Sequence, residues 1–189
     1  MYDALRLGAC DEEMTKALLS HVKDGMFLGE YGVSSISAED ELHYELNDPD
    51  WSGGGSYSGE GPELAETLWN SGHSQLAWDV LKRHFWMGTK IPYIPQEHYC
   101  DKPSMPENKR ANIIAGVAGL EAVLFGLAGF RVDLEGLSLD PKPAPEGWYE
   151  VTGFRYRKKT VDLRVSRDTM TVSVNGETVY EGGIREIQI

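Results

Sequence analysis

The apolar periodicity of this chain changes once, near Gly129, and that switch constrains the fold more than any single motif. Before it, Leu64, Ala65, Leu68 and Trp69, then Leu76, Ala77, Val80, Leu81 and Phe85, recur at helical spacing. After it the period falls to two. Tyr149–Arg157, Thr160–Val165, Thr169–Val174 and Thr178–Tyr180 read as strands, and Asn175-Gly176 is a strong hairpin-turn signal. The expected fold class is therefore mixed α and β: helical hairpins over residues 1–129, followed by a small antiparallel β domain over residues 130–189. At 189 residues the chain is long enough for one ordinary domain or two small ones.

Taken in order, Asp11-Glu12-Glu13 starts a helix by capping and by charge at its positive end. Met14, Ala17, Leu18 and Val22 supply an apolar stripe, and Asp24-Gly25 ends it. Met26 to Pro49 is a long connection around Gly32-Val33-Ser34-Ser35-Ile36-Ser37, and a loop of this length is usually functional or disordered. Gly53-Gly54-Gly55, Gly59 and Gly61 allow close backbone approach. Pro62 suits the first position of a helix. The Asn70-Ser71-Gly72 break, with Ser74 as a second cap, makes an antiparallel αα-hairpin. Pro92 and Pro95 keep Ile91–Pro95 out of a helix. Lys109–Gly129 reads as a helix apolar almost all round, and so buried on most sides. Pro141–Gly147 is a stiff connector.

Net charge removes several function classes. At −12 the chain has no electrostatic reason to bind nucleic acid or an anionic membrane. Ile113–Phe130 contains Glu121 and four glycines, and it reads as a buried helix rather than a membrane span. The N-terminus lacks the cationic start and long apolar core of a signal peptide, so the expected compartment is the cytoplasm. Cys10 and Cys100 form neither a disulfide framework nor a zinc site, and the histidines show no metal-ligand spacing. No P-loop, dinucleotide fingerprint or Ser-His-Asp elbow is present, so neither metal nor cofactor is expected.

The candidate site residues lie in the middle of the chain. Glu97, in an aromatic and proline-stiffened loop, is placed to have its pKa tuned and to deprotonate a water at an anomeric carbon; the alternative is an exposed structural glutamate. Glu60 and Glu63 bracket a helix start, where charge usually caps; Glu60, after the glycine-rich loop, is the better placed to face a ligand. Ser34, Ser35 and Ser37 can hold a phosphate or sugar hydroxyls, or can serve the turn. Trp51, Tyr57 and Tyr99 offer faces for a sugar to stack on, with ordinary core packing as the alternative. Glu39-Asp40-Glu41 reads as solvated surface.

These residues resemble the C-terminal portion of an (α/α)6-barrel glycoside hydrolase or disaccharide phosphorylase. Trp51-Ser52-Gly53-Gly54 through Gly72-His73 to Phe85 is similar to a late barrel hairpin. Gln96–Asp101 resembles the E-x-Y-(N/D) loop that carries the general base in trehalase-like hydrolases. Gly136–Pro141 followed by Pro145-Glu146-Gly147-Trp148 is similar to the run into the C-terminal β domain of maltose- and cellobiose-phosphorylase-like enzymes. The resemblance implies inverting cleavage of a glycosidic bond, with an oligo- or disaccharide substrate. By position it implies Glu97 as general base, whereas Ser34–Ser37 is similar to the phosphate loop of the maltose phosphorylase branch, so water and phosphate both stand as the attacking group. The proton donor would lie earlier in the barrel, and no general acid is assigned. A complete barrel needs several hundred residues, so the expected toroid is incomplete. Its exposed apolar faces would demand the missing barrel portion or other subunits. A non-catalytic carbohydrate-binding or assembly module is the alternative.

Overall fold

A computed structural model describes residues 2–45, 53–90, 94–105 and 110–189. The chain divides into two compact units, Met1–Glu121 and Ala122–Ile189.

The first unit opens with α1 (Asp3–Arg6) and α2 (Glu12–Leu19). Asp11 caps α2, its carboxylate accepting from the Met14 N–H at 2.8 Å, with Glu12 and Glu13 in the first turn. The helix stops at Leu19 rather than Asp24, and it buries none of its residues; Met14 is 54% exposed. The expected stripe is thus not a core stripe. A helix this short gains little by itself, and Ser20 Oγ donates to the Ala17 carbonyl where the helix ends. Val22 goes inside from the turn that follows.

Short strand pairs, invisible to a period-two reading at this length, come next. β1 (Leu28–Gly29) pairs with β2 (Gly32–Val33), and β3 (Ser56–Tyr57) pairs across the sequence with β4 (Glu97–His98), both antiparallel. Between the two halves of that second pair lies the αα-hairpin of α3 (Glu60–Asn70) and α4 (Ser74–Phe85), with the short α5 (Met87–Lys90) after it. Leu64, Ala65, Leu68 and Trp69 of α3 and Ala77, Val80 and Leu81 of α4 are buried, as their spacing requires, whereas Phe85 is exposed. Gly72 takes φ +83°, and the Gly72 and His73 N–H groups satisfy the Trp69 and Leu68 carbonyls at the end of α3. Two local expectations shift. Pro62 is the third residue of α3, still within the turn whose N–H groups have no helical partner, and Ser74 is the first residue of α4, with His73 as its cap.

α6 (Ile113–Glu121), followed directly in sequence by a π-helical stretch Ala122–Leu127, inverts the expected burial. Its buried positions are the small ones, Ala115, Ala118 and Gly119; Ile113 is 83% exposed and Leu120 57%, and Ile114 and Val117 are exposed with them. The small residues let α6 pack closely on α3 and against Phe85, whose ring lies 3.5 Å from where a Gly119 Cβ would sit. The branched side chains are left outside the first unit's core.

The second unit is two antiparallel sheets around one core. β7 (Tyr149–Tyr156), β8 (Lys159–Val165), β9 (Thr169–Val174) and β10 (Glu177–Gly183) form a meander. β5 (Phe130–Val132) and β6 (Leu137–Leu139) pair with each other, and β11 (Ile187–Gln188) returns to β6. Phe130, Leu137 and Leu139 of the smaller sheet share a buried cluster with Val161, Leu163, Val165, Met170 and Val172 of the larger. Alternation along β8 and β9 puts every second residue into this cluster. Asn175 and Gly176, at φ +53° and +85°, make the turn between β9 and β10. The Tyr149 hydroxyl bonds both the Leu127 and the Lys142 carbonyls, at 3.0 and 2.8 Å.

Candidate functional site

Three backbone bonds fix the loop that follows β2. The Ser34 N–H donates to the Phe27 carbonyl, that of Ser35 to Gly55, and that of Ala38 to Met26, at 2.9, 3.0 and 2.9 Å. The glycine-rich segment is needed for such approach: a Cβ on Gly54 would stand 2.8 Å from the Tyr44 ring and 2.9 Å from the Glu45 carbonyl. Held this way, Ser35 donates its hydroxyl to Glu60 Oε2 at 2.8 Å, and Ser34 donates its own to the Ile36 carbonyl.

Glu60 is the first residue of α3, behind Gly59, where a carboxylate meets the positive end of the helix. It faces a cavity of about 450 Å³. Phe27, Val33, Ile36 and Leu64 give the cavity apolar walls. Ser34, Ser35, Ser37 and Thr67 add hydroxyl-bearing side chains, and Tyr2, Asp3, Arg6, Asp40 and Glu63 complete the lining. Burial pushes the Glu60 carboxyl above its ordinary range; the Ser35 hydrogen bond opposes this and the charge of Glu63 adds to it. The Tyr2 hydroxyl is buried without a hydrogen-bond partner among the described residues, and burial together with the Glu60 charge pushes its pKa up to about 12. Arg6 is already paired with Asp3 at 2.9 Å.

Four of the site residues picked from sequence, Ser34, Ser35, Ser37 and Glu60, thus line one cavity. Glu97 does not line it. It lies on β4 opposite Tyr57 of β3, is 7% exposed, and accepts from Gln96 Nε2 at 3.2 Å. It is not an exposed loop glutamate, because pairing of β4 with β3 covers it. The Tyr57 hydroxyl accepts from Asn112 Nδ2 at 2.9 Å, and Tyr99 has the Lys102 ammonium 3.9 Å from its ring centre. Trp51 lies outside the described residues.

His98, beside Glu97, is a satisfied core histidine. Its Nε2 can only donate to the Tyr31 carbonyl, at 2.8 Å, so Nδ1 accepts from Ser58 Oγ at 3.0 Å. Gly32 makes room for it, since a Cβ there would come within 2.6 Å of Nε2. Burial lowers the pKa of His98 to about 4 and that of the neighbouring His84 to about 3.

Sequence reasoning missed Tyr2, Asp3, Arg6 and Phe27, which reach the cavity only through tertiary folding. It read Asp40 as part of a solvated run, yet Asp40 lines the cavity and accepts from the Leu42 and His43 N–H groups. The signal that could have found it is the Asx-turn pattern of an aspartate whose side chain bonds the backbone just ahead. Among the described residues no group of three or more His, Cys, Asp or Glu side chains could hold a metal ion, and no helix is long and apolar enough to cross a membrane.

No protein-family model matches the sequence, and no curated protein does. Among solved structures the chain is similar to one titled "Putative kojibiose phosphorylase from human microbiome", at 14% identity and a TM-score of 0.44. The alignment covers 70% of this chain and 19% of that one, so the chain spans about a fifth of that protein's length.

Proposed function

We propose that the chain is part of a carbohydrate-active protein whose cavity between the Ser34–Ser37 loop and the start of α3 holds a saccharide. The observation that carries this is the Ser35–Glu60 hydrogen bond at the wall of a 450 Å³ cavity. Apolar walls with a few fixed hydroxyls and a carboxylate are what a sugar ring needs, because its C–H face sheds water while its hydroxyls find partners. The resemblance of the three sequence motifs, in their order along the chain, points to the same class. In that class cleavage goes with inversion, and Glu97 is the candidate base for an attacking water. The acid would come from barrel helices outside residues 1–189. The unpartnered apolar face of α6 supports an incomplete toroid, since Ile113, Ile114, Val117 and Leu120 have no cover within the first unit's core.

Titration of the protein with maltose, followed by amide NMR, tests the binding. Shifts are expected at Ser34 to Ser37 and at Glu60, and Ser35→Trp, which fills the cavity, is expected to abolish them. Maltose and glucose that leave every amide unmoved would sink the proposal. The burial of Glu97 away from the cavity favours a second reading, a module that binds carbohydrate without catalysis. Glu97→Gln separates the two: hydrolysis of an aryl glycoside by the completed protein is lost with binding kept in the enzyme, and there is no hydrolysis to lose in the module.

A further inference from the structure

The outer face of α6 is built to meet itself, whatever the cavity holds. At 3.6 residues a turn the two sides of the helix separate cleanly. Ala115, Ala118 and Gly119 lie on the buried side. Ile113, Val117 and Leu120 fall together on the opposite side, with Ile114 and Glu121 along one flank. The four apolar residues are between 45% and 83% exposed. They leave roughly 500 Å² of surface on one copy, so two such faces would hide about 1,000 Å², the lower bound of a specific association.

The apolar row is bounded by opposite charges. Arg110 is exposed just ahead of α6, its carbonyl held by the Gln96 N–H at 2.8 Å, and the Asn112 side chain accepts from the Ala115 N–H at 3.1 Å at the start of the helix. Glu121 is exposed at the last position of α6. A second carboxylate lies near it. Burial, and then the charge of Glu121, pushes the Glu66 carboxyl above its ordinary range, while Arg6 opposes the shift.

Two such helices laid side by side in one direction would set arginine against arginine and glutamate against glutamate. Turned end for end about a two-fold axis near Val117, Arg110 meets the partner's Glu121, and Ile113 and Ile114 meet the partner's Leu120. Symmetry makes the charge contact twice and uses the face fully, so the assembly closes at two copies. A helix of another protein could cover the apolar row, but only a second copy matches both charged ends by its own sequence. We propose that the chain forms an antiparallel two-fold dimer through the outer face of α6, with its direction set by Arg110 and Glu121.

Sedimentation velocity of the 189-residue chain tests this, with Arg110→Glu and Glu121→Arg studied separately and then mixed. The parent chain is expected to convert from monomer to dimer as concentration rises and to go no further. Each single variant should pair about tenfold more weakly, because one substitution turns two attractive contacts into repulsive ones. An equal mixture of the two variants should recover the parent affinity, since each mixed pair restores both contacts; this recovery also shows that both variants are folded. Val117→Lys, on the axis, should give a monomer with an unchanged melting temperature. A parent chain that stays monomeric, or that grows beyond two copies, overturns the dimer. Variants that pair as well as the parent, or a mixture that fails to recover, overturn the antiparallel arrangement. None of these outcomes bears on the saccharide cavity, which the maltose titration tests by itself.

Discussion

At the residue scale, burial without charge is the recurring device. His84 and His98 sit in the core of the first unit in their neutral forms, with pKa values depressed to about 3 and about 4. In the unfolded chain both bind a proton near pH 6.5. Between that value and about 4 the unfolded state therefore holds more protons than the native one, and stability falls as pH falls. For His98 alone the depression is worth on the order of 3 kcal/mol. Glu60 acts in the opposite sense: its raised carboxyl takes up a proton in the folded state first, so acid relieves it. We expect the imidazole resonances of His84 and His98 to hold constant from pH 8 to 5 in the folded protein, and a urea midpoint that drops across the same range. An imidazole of His98 that titrates near pH 6.5 would show that the ring is not bonded as described.

At the scale of elements, the close approaches depend on glycine. Gly129, at φ +65°, precedes β5, and a Cβ there would stand 2.0 Å from the Asp140 carbonyl oxygen. That carbonyl belongs to backbone and cannot swing aside, and the Asp140 N–H donates back to the Gly129 carbonyl at 2.9 Å. Gly129→Ala should cost roughly 3 kcal/mol or more, through both the left-handed strain and the clash. The loss should appear as a lower unfolding temperature for the β unit, read from strand amides in hydrogen exchange. A melting temperature within 1–2 °C of the parent (about the shift that a few tenths of a kcal/mol would give) would refute the account. Asn175-Gly176 makes the contrasting case, since a Cβ on Gly176 meets nothing within 4 Å and only the turn conformation is at stake.

For the whole molecule the unbalanced feature is α6. Its small residues are packed and its large apolar ones are exposed, which is the reverse of a solvated helix. A row of Ile113, Ile114, Val117 and Leu120 facing outward from the unit's core is the kind of patch that binds a partner or associates. Purified alone, the chain is expected to bind an apolar dye and to form higher species in light scattering as concentration rises. Ile114→Lys with Leu120→Lys should reduce both while leaving the melting temperature unchanged, because neither side chain holds the core. A double variant that loses stability instead would mean the face is packed.

Much of this protein was legible in its residues. The switch of period near Gly129, the αα-hairpin, the meander with its Asn175-Gly176 turn and the Asp11 cap are all set by neighbours close in sequence, where backbone propensity and side-chain alternation act directly. The serine loop and Glu60 could be picked out one by one. That they share a cavity with Tyr2 and Arg6, and that Glu97 stays outside it, was decided only by tertiary contacts: the Ser35 N–H reaching the Gly55 carbonyl, and β4 pairing with β3 from forty residues away. The same holds for α6. Its sequence is apolar all round and names no inward face, and the choice of the alanine and glycine side came from how closely α3 and Phe85 could approach.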